Sequence, residues 1–181
     1  EVPVSFGDYI APAPQGTDFG YFGAVQCSPS AAQSEVHRID YSNDTATALK
    51  RGPLSSARYM ASATSSISHG YFIAGQTPSS PGHSSTIDRI DYGNDTATAS
   101  PKGNMSRSTR DQTSTGNTLF GYVSGGNGPT PGQTTTLDRI DYSNDTATAT
   151  PKGNLITPSS YSRGVSTGNE SFGYFTGGSS T

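Results

Sequence analysis

The chain has 181 residues and a formal net charge of -3, which offers no basic surface for nucleic acid. Its single cysteine, Cys27, excludes an internal disulfide framework and a four-cysteine metal site. No run approaches the ~20 apolar residues of a helical membrane span, so neither nucleic acid nor a membrane span is expected.

Hydrophobic residues make up 30% of the chain, below the usual range of about 45–50%, but that range counts glycine and this chain has 22. Charged residues are 14%, and 10 tyrosines and 7 phenylalanines recur in register. That composition predicts folded β structure with small side chains, since disorder goes with high net charge and few aromatics. Cys27 is expected to be a small semi-buried residue. The start, Glu1-Val2-Pro3-Val4-Ser5, has no initial methionine and no signal-like apolar run, which suits a processed protein or part of a longer one.

In chain order, the first signal is Phe19-Gly20-Tyr21-Phe22-Gly23. It returns as His69-Gly70-Tyr71-Phe72-Ile73-Ala74-Gly75, Phe120-Gly121-Tyr122-Val123-Ser124-Gly125-Gly126 and Phe172-Gly173-Tyr174-Phe175-Thr176-Gly177-Gly178. Tyr21, Tyr71, Tyr122 and Tyr174 are therefore spaced by 50, 51 and 52 residues. Between them runs a second segment, present three times: Arg38-Ile39-Asp40-Tyr41-Ser42-Asn43-Asp44, Arg89-Ile90-Asp91-Tyr92-Gly93-Asn94-Asp95 and Arg139-Ile140-Asp141-Tyr142-Ser143-Asn144-Asp145. Each copy continues Thr-Ala-Thr-Ala. This is a tandem repeat, with approximate units 1–52, 53–103, 104–155 and a partial unit 156–181.

Each unit divides into four extended pieces, which in the second unit are Tyr59 to Thr64, Gly70 to Ala74, Thr86 to Tyr92 and Thr96 to Ala99. β-branched and aromatic residues fill them, and Gly, Pro, Asn and Ser bound them. No window carries the i, i+3, i+4, i+7 pattern of a helix. The Tyr-Xaa-Asn-Asp-Thr stretch is predicted to be a hairpin turn, because Asn and Asp bond their own backbone two residues on and tolerate unusual φ. Pro101-Lys102-Gly103-Asn104 is expected to turn the chain toward the next unit. In the third strand Ile87, Arg89 and Asp91 share one face, and Asp88, Ile90 and Tyr92 the other. Each face thus mixes apolar and charged residues, which suits a strand packed between two layers with its charges paired.

Four short strands every ~50 residues predict an all-β fold, a β-propeller with four-stranded blades, in which stacking buries faces that a lone blade would expose. The aromatic-glycine segment, the loop and the tyrosine-bearing strand that follow it resemble a kelch-like β-propeller repeat, although the tryptophan usual in kelch repeats is absent. Tyr-Phe-Thr-Gly-Gly together with Asp-Arg-Ile-Asp-Tyr-Ser-Asn-Asp-Thr-Ala-Thr-Ala resembles kelch-like repeats in structural or tail-fibre-like proteins of marine cyanobacterial phages. The resemblance spans almost the whole chain. It implies a virion-associated or extracellular binding or scaffold role and supplies no catalytic residue.

Length over period leaves about three and a half units, whereas propellers typically have at least four blades. Three arrangements follow: a piece of a longer chain, two chains sharing a seven-bladed ring, or a linear β repeat fibre whose ends meet those of neighbouring copies.

Asp40, Asn43 and Asp44, with Asp91, Asn94 and Asp95 and with Asp141, Asn144 and Asp145, place oxygen donors at short spacing. Calcium takes about six to eight oxygens, and this spacing departs from the twelve-residue calcium loop, so a turn held by Asx hydrogen bonds is the favoured reading and no metal or cofactor is assigned. Arg38, Arg89 and Arg139 are read as interstrand partners of Asp40, Asp91 and Asp141, or of Asp88 and Asp138, with an anionic glycan as the other reading. His37 stands where later copies have Asp88 and Asp138, which marks that position as the less buried one. His69 and His83 are isolated, and no Gly-Xaa-Ser-Xaa-Gly elbow is present. Asn43, Asn94, Asn104, Asn144 and Asn169 lie in Asn-Xaa-Ser/Thr sequences that a secretory route would offer for glycosylation. No catalytic residue is assigned. The expected role is structural or adhesive, with Tyr21, Tyr71, Tyr122, Tyr174, Tyr41, Tyr92 and Tyr142 as repeat elements. The loops Gln76 to Ser85 and Asn127 to Gln133 would face a protein or a host-surface glycan. The alternatives are a carbohydrate-active enzyme, which needs a carboxylate pair in one pocket, and a passive self-assembling β repeat.

Overall fold

The computed structural model describes residues 18–24, 26–28, 31–79, 82–129, 132–159 and 165–176. Among them the regular structure is β-strand and short 3-10 turn. The first sheet has β1 (Phe19–Gly23), β4 (Val36–Asp40) and β5 (Leu49–Arg51), with β2 (Gln26–Ser28) and β3 (Ala31–Ala32) pairing as a small ribbon of their own. The second runs in chain order through β6 (Ser62–Ser65), β7 (His69–Gln76), β8 (His83–Asp91) and β9 (Ser100–Thr109). The third repeats that order with β10 (Thr113–Gly116), β11 (Phe120–Ser124), β12 (Thr134–Asp141) and β13 (Thr150–Ser159), and β14 (Val165–Gly168) pairs with β15 (Gly173–Thr176). All pairings are antiparallel, and the repeat is exact in register: Tyr21 lies opposite Arg38, Tyr71 opposite Arg89 and Tyr122 opposite Arg139.

The sheets pack face to face, and the two faces of β7 and β8 feed different cores. Phe72 and Ile90 join Val36, Leu54 and Ala99 against the first sheet. Tyr71, Ile73 and Ile87 join Met105, Val123, Ile140 and Ala149 against the third. Side chains alternate along a strand, so a strand with apolar residues at odd and even positions is one held between two layers.

Among the described residues these sheets remain separate, and the main contacts run between successive ones, β6 with β10 and β10 with β14. The β-propeller expected from the repeat length is therefore overturned; the architecture fits a linear stack. A period of four strands specifies that sheets must stack, but the angle between layers, which decides ring or line, is not encoded in the period.

The fourth strand also moves. Residues 96–99 lie in a turn and irregular backbone, and β9 begins at Ser100 and continues through Pro101-Lys102-Gly103-Asn104, with an irregularity in its pairing between Thr86 and Asp88. The backbone before it is used elsewhere: Ala99 N donates to Pro53 O at 2.8 Å, and Gly52 N to Asp95 O at 2.9 Å. Pro101 is tolerated because β9 is an edge strand, where a missing N–H leaves no partner unsatisfied. The expected loop Gln76 to Ser85 shrinks likewise, since Gly75 pairs with Ser84 and Gln76 with His83. Its turn is closed by Thr77 N donating to Gly82 O at 2.8 Å. Asn127 bridges to both Arg110 and Gln133, which draws in the second expected loop. Residues 80, 81, 130 and 131, the Cys27 side chain and the chain start lie outside what is described.

Candidate functional site

The repeated turn is built from its own sequence. Asp91 Oδ1 accepts from Gly93 N at 2.8 Å and caps a 3-10 turn over Tyr92–Asn94. Asp40 and Asp141 do the same for Ser42 N and Ser143 N, each at 2.9 Å, and also accept from the serine hydroxyls at 2.6 Å. These bonds hold the Asp40 and Asp141 carboxyls below the usual carboxylate range. Asn43, Asn94 and Asn144 accept from Thr45, Thr96 and Thr146 two residues on, at 3.3, 3.3 and 3.4 Å. The turn then throws its tyrosine and its last aspartate away from its own strand, toward the preceding sheet.

There they meet a socket. Tyr92 stacks on Tyr21 with ring centroids 5.0 Å apart, and Asp95 Oδ2 accepts from Tyr21 Oη at 3.0 Å and from Arg38 Nη1 at 2.8 Å. Arg51 Nε stands 3.3 Å from the same oxygen. One repeat later Tyr142 stacks on Tyr71 at 4.8 Å, and Asp145 Oδ2 accepts from Tyr71 Oη at 3.1 Å and from Arg89 Nη1 at 2.8 Å. Tyr142 Oη also lies 2.9 Å from Thr64 Oγ1. Backbone bonds lock the same junction, Gly103 N to Asp145 O and Ala149 N to Asn104 O, both 2.8 Å. Burial, seconded by Asp95, pushes the Tyr21 hydroxyl up to about 12. Burial and then Asp145 raise Tyr71, and burial raises Tyr142.

Each junction thus consists of a tyrosine-aspartate plug and a tyrosine-arginine socket. The arginines do not pair by hydrogen bond with carboxylates of their own unit: Arg38 and Arg89 reach Asp95 and Asp145 of the next one. The calcium-candidate oxygens have separate employment. Asp91 caps the turn, Asn94 holds Thr96, and Asp95 takes the arginine and tyrosine, with the equivalents in the third unit doing likewise. Among the described residues no group of three or more His, Cys, Asp or Glu could hold a metal ion.

A second polar contact escaped sequence reasoning. Asp88 and Asp138 are fully buried, the opposite of the expectation drawn from His37. Asp88 Oδ2 accepts from Ser55 N at 2.9 Å and Ser55 Oγ at 3.0 Å, and pairs with Arg58 Nη1 at 3.0 Å. Asp138 accepts from Ser106 Oγ at 2.8 and 2.9 Å. His37 lies in the first described sheet, is only partly buried and meets Glu35 at 3.4 Å.

Among the described residues, clefts of about 180 Å³ lie at two places in the stack. One lies around Tyr21, Tyr41 and Tyr92 and holds no carboxylate. The other lies beside Tyr122, between β10 and the β14–β15 hairpin, and its one carboxylate, Glu170, accepts from Thr118 N and Oγ1 at 3.2 and 2.9 Å. Neither brings two carboxylates together. His69 Nδ1 bonds the neighbouring Ser68 Oγ at 2.8 Å.

The chain matches no protein-family model and no curated protein. With the open stack of sheets, this overturns the resemblance to kelch-like phage tail-fibre repeats. Glycine, tyrosine and Asx turns recur in any repeat whose layers must pack closely, so such words carry architecture without ancestry.

Proposed function

We propose that this protein is a non-enzymatic structural repeat whose task is to assemble β layers end to end, the self-assembling reading of the sequence. One observation carries it. The most distinctive residues of the repeat, Tyr21 with Arg38 and Tyr71 with Arg89, are engaged by Asp95 and Asp145 of the following layer. They serve layer-to-layer cohesion, and the cleft that Tyr21 and Tyr71 both line holds no carboxylate. Stacked repeats gain stability from nearest-neighbour interfaces, and an uncovered terminal layer is a natural site for further stacking.

The test is native mass of the purified chain over a wide concentration series, beside its intact denatured mass. An open-ended series of multiples of the denatured mass supports the proposal. A single species of unchanged mass at every concentration overturns it.

A further inference from the structure

The two ends of the stack carry opposite halves of the same junction. At one end Tyr41 is 53% exposed and Asp44 is exposed, although they occupy the turn positions that Tyr92 and Asp95, and Tyr142 and Asp145, use to plug the preceding sheet. At the other end Tyr122 and Arg139 lie opposite each other on β11 and β12, as Tyr71 and Arg89 do on β7 and β8. Arg139 sits 4.2 Å over the Phe120 ring, as Arg38 sits 4.0 Å over Phe19, but Arg139 Nε is buried without a hydrogen-bond partner. Tyr122 lines the cleft of about 180 Å³, together with Thr115 and Gly173. Those three correspond to Tyr71, Thr64 and Gly121, the residues that surround Tyr142 one junction earlier.

A third mark is steric. A Cβ on Gly52 or Gly103 would stand 1.8 or 1.9 Å from the carbonyl oxygen of Ala97 or Ala147, whereas one on Gly153 would meet nothing within 4 Å. The surface that receives a turn at the first two junctions is therefore formed at the third and, among the described residues, uncovered there.

We infer that the Tyr122–Arg139 face receives the Tyr41–Asp44 turn of a second copy of this chain, so that copies add head to tail. This rests on the self-assembly reading and names its interface. The strand inventory agrees. A complete sheet has four strands in order; β14 and β15 stand as the first two, and the first sheet holds the last three as β1, β4 and β5. β15 and β1 both lie in the sequence Phe-Gly-Tyr-Phe, at 172–175 and 19–22. β15 of one copy thus displaces β1 of the next, which the single chain pairs with β4, and puts Tyr174, 58% exposed in the single chain, in the position of Tyr21 over Tyr92. Exchange of an identical element makes a heterologous contact that propagates. The Asp44 carboxylate supplies the charge that Arg139 faces, and a planar guanidinium suits that oxygen fork.

The experiment uses two variants of the 181-residue chain. Arg139→Glu keeps the plug and makes the socket repel it. Tyr41→Ala with Asp44→Ala keeps the socket and removes the plug. Sedimentation velocity should show open-ended assembly of the unaltered chain, and each variant alone should need at least about tenfold higher concentration to associate. Mixed, the two variants should form a discrete one-to-one dimer and stop there, because only one productive plug and one productive socket remain. Thermal melts confirm that each variant folds. If Arg139→Glu melts early, Gly153→Ala replaces it, adding a methyl group where the single chain has space and the docked turn does not. If the unaltered chain assembles and either folded variant assembles equally well, or the mixture gives no dimer, this interface is wrong and self-assembly stands on another surface. If the unaltered chain never assembles, both fall.

Discussion

Tyr71 donates its hydroxyl to Asp145 at 3.1 Å, across a separation of 74 residues, the same separation that joins Tyr21 to Asp95. Repetition of one offset at two junctions shows that the contact belongs to the repeat itself. Arg89 shares the acceptor, so a single carboxylate oxygen holds two strands of the preceding sheet.

That arrangement makes position 145 and position 44 unequal despite identical local sequence. Asp145 is buried and accepts charged and hydroxyl donors, so Asp145→Ala should destabilise by about 2–3 kcal/mol, the range for hydrogen bonds to charged groups. Asp44 is exposed, and Asp44→Ala should change the stability of the single chain by less than about 0.5 kcal/mol. Urea denaturation at low protein concentration measures both. Equal losses would mean that the turn, rather than the junction, is what aspartate supports.

The junction glycines give a sharper contrast. Gly103→Ala would force a methyl group against Ala147 O, where its Cβ has only 1.9 Å, and should cost about 3 kcal/mol or separate the layers. Gly153→Ala faces open space and should cost under about 1 kcal/mol, the ordinary range for a solvent-facing change. Denaturation midpoints decide between this and a purely conformational role for glycine, which would make the two alike.

Much of this was legible in the residues, and the failures have a common cause. The alternation of Ile87, Arg89 and Asp91 against Asp88 and Ile90 predicts a strand between two layers, and Ile87 and Ile90 do feed two different cores. The Asx turn follows from Asp91 and its neighbours alone. What stayed hidden depends on the offset between layers. Arg89 has several carboxylates within its own unit, and nothing in a periodic sequence says that Asp145 is the one in reach. The burial of Asp88 was hidden the same way, because Ser55 and Arg58, which meet its Oδ2, sit in the connection from the preceding sheet. His37 differs because it meets Glu35 in the first described sheet, an exchange that reads in sequence as tolerance.

Alkali should open the stack through its tyrosines. Tyr21 is pushed up to about 12, and Tyr71, Tyr92 and Tyr142 are raised, burial being the largest cause in each. Unfolded tyrosine ionises near about 10, so in the interval above it the folded chain holds more protons than the unfolded one. Stability is then complete below about pH 10 and falls as pH rises toward about 12 and beyond. Tyrosinate absorbance followed with circular dichroism should show these groups ionising together with loss of β signal. Independent ionisation with the sheets intact would show that the stacked rings do not bind the layers.

Arg58 and Asp88 supply the remaining test. Both side chains are 0% exposed, Nη1 to Oδ2 is 3.0 Å, and Arg58 Nη2 also donates to Phe72 O at 3.1 Å. Removing one partner from a buried pair strands the other charge, so Arg58→Met should cost about 3–5 kcal/mol. Asp88→Leu should cost a similar amount, because it also orphans Ser55 N. The double variant should lose clearly less than the two single losses combined, since well-packed apolar side chains can replace an ion pair at little cost while neither charge is left alone. A double-mutant cycle from denaturation midpoints measures the coupling. Additive losses would show that Asp88 is held by Ser55 alone and that Arg58 acts through Phe72 and packing.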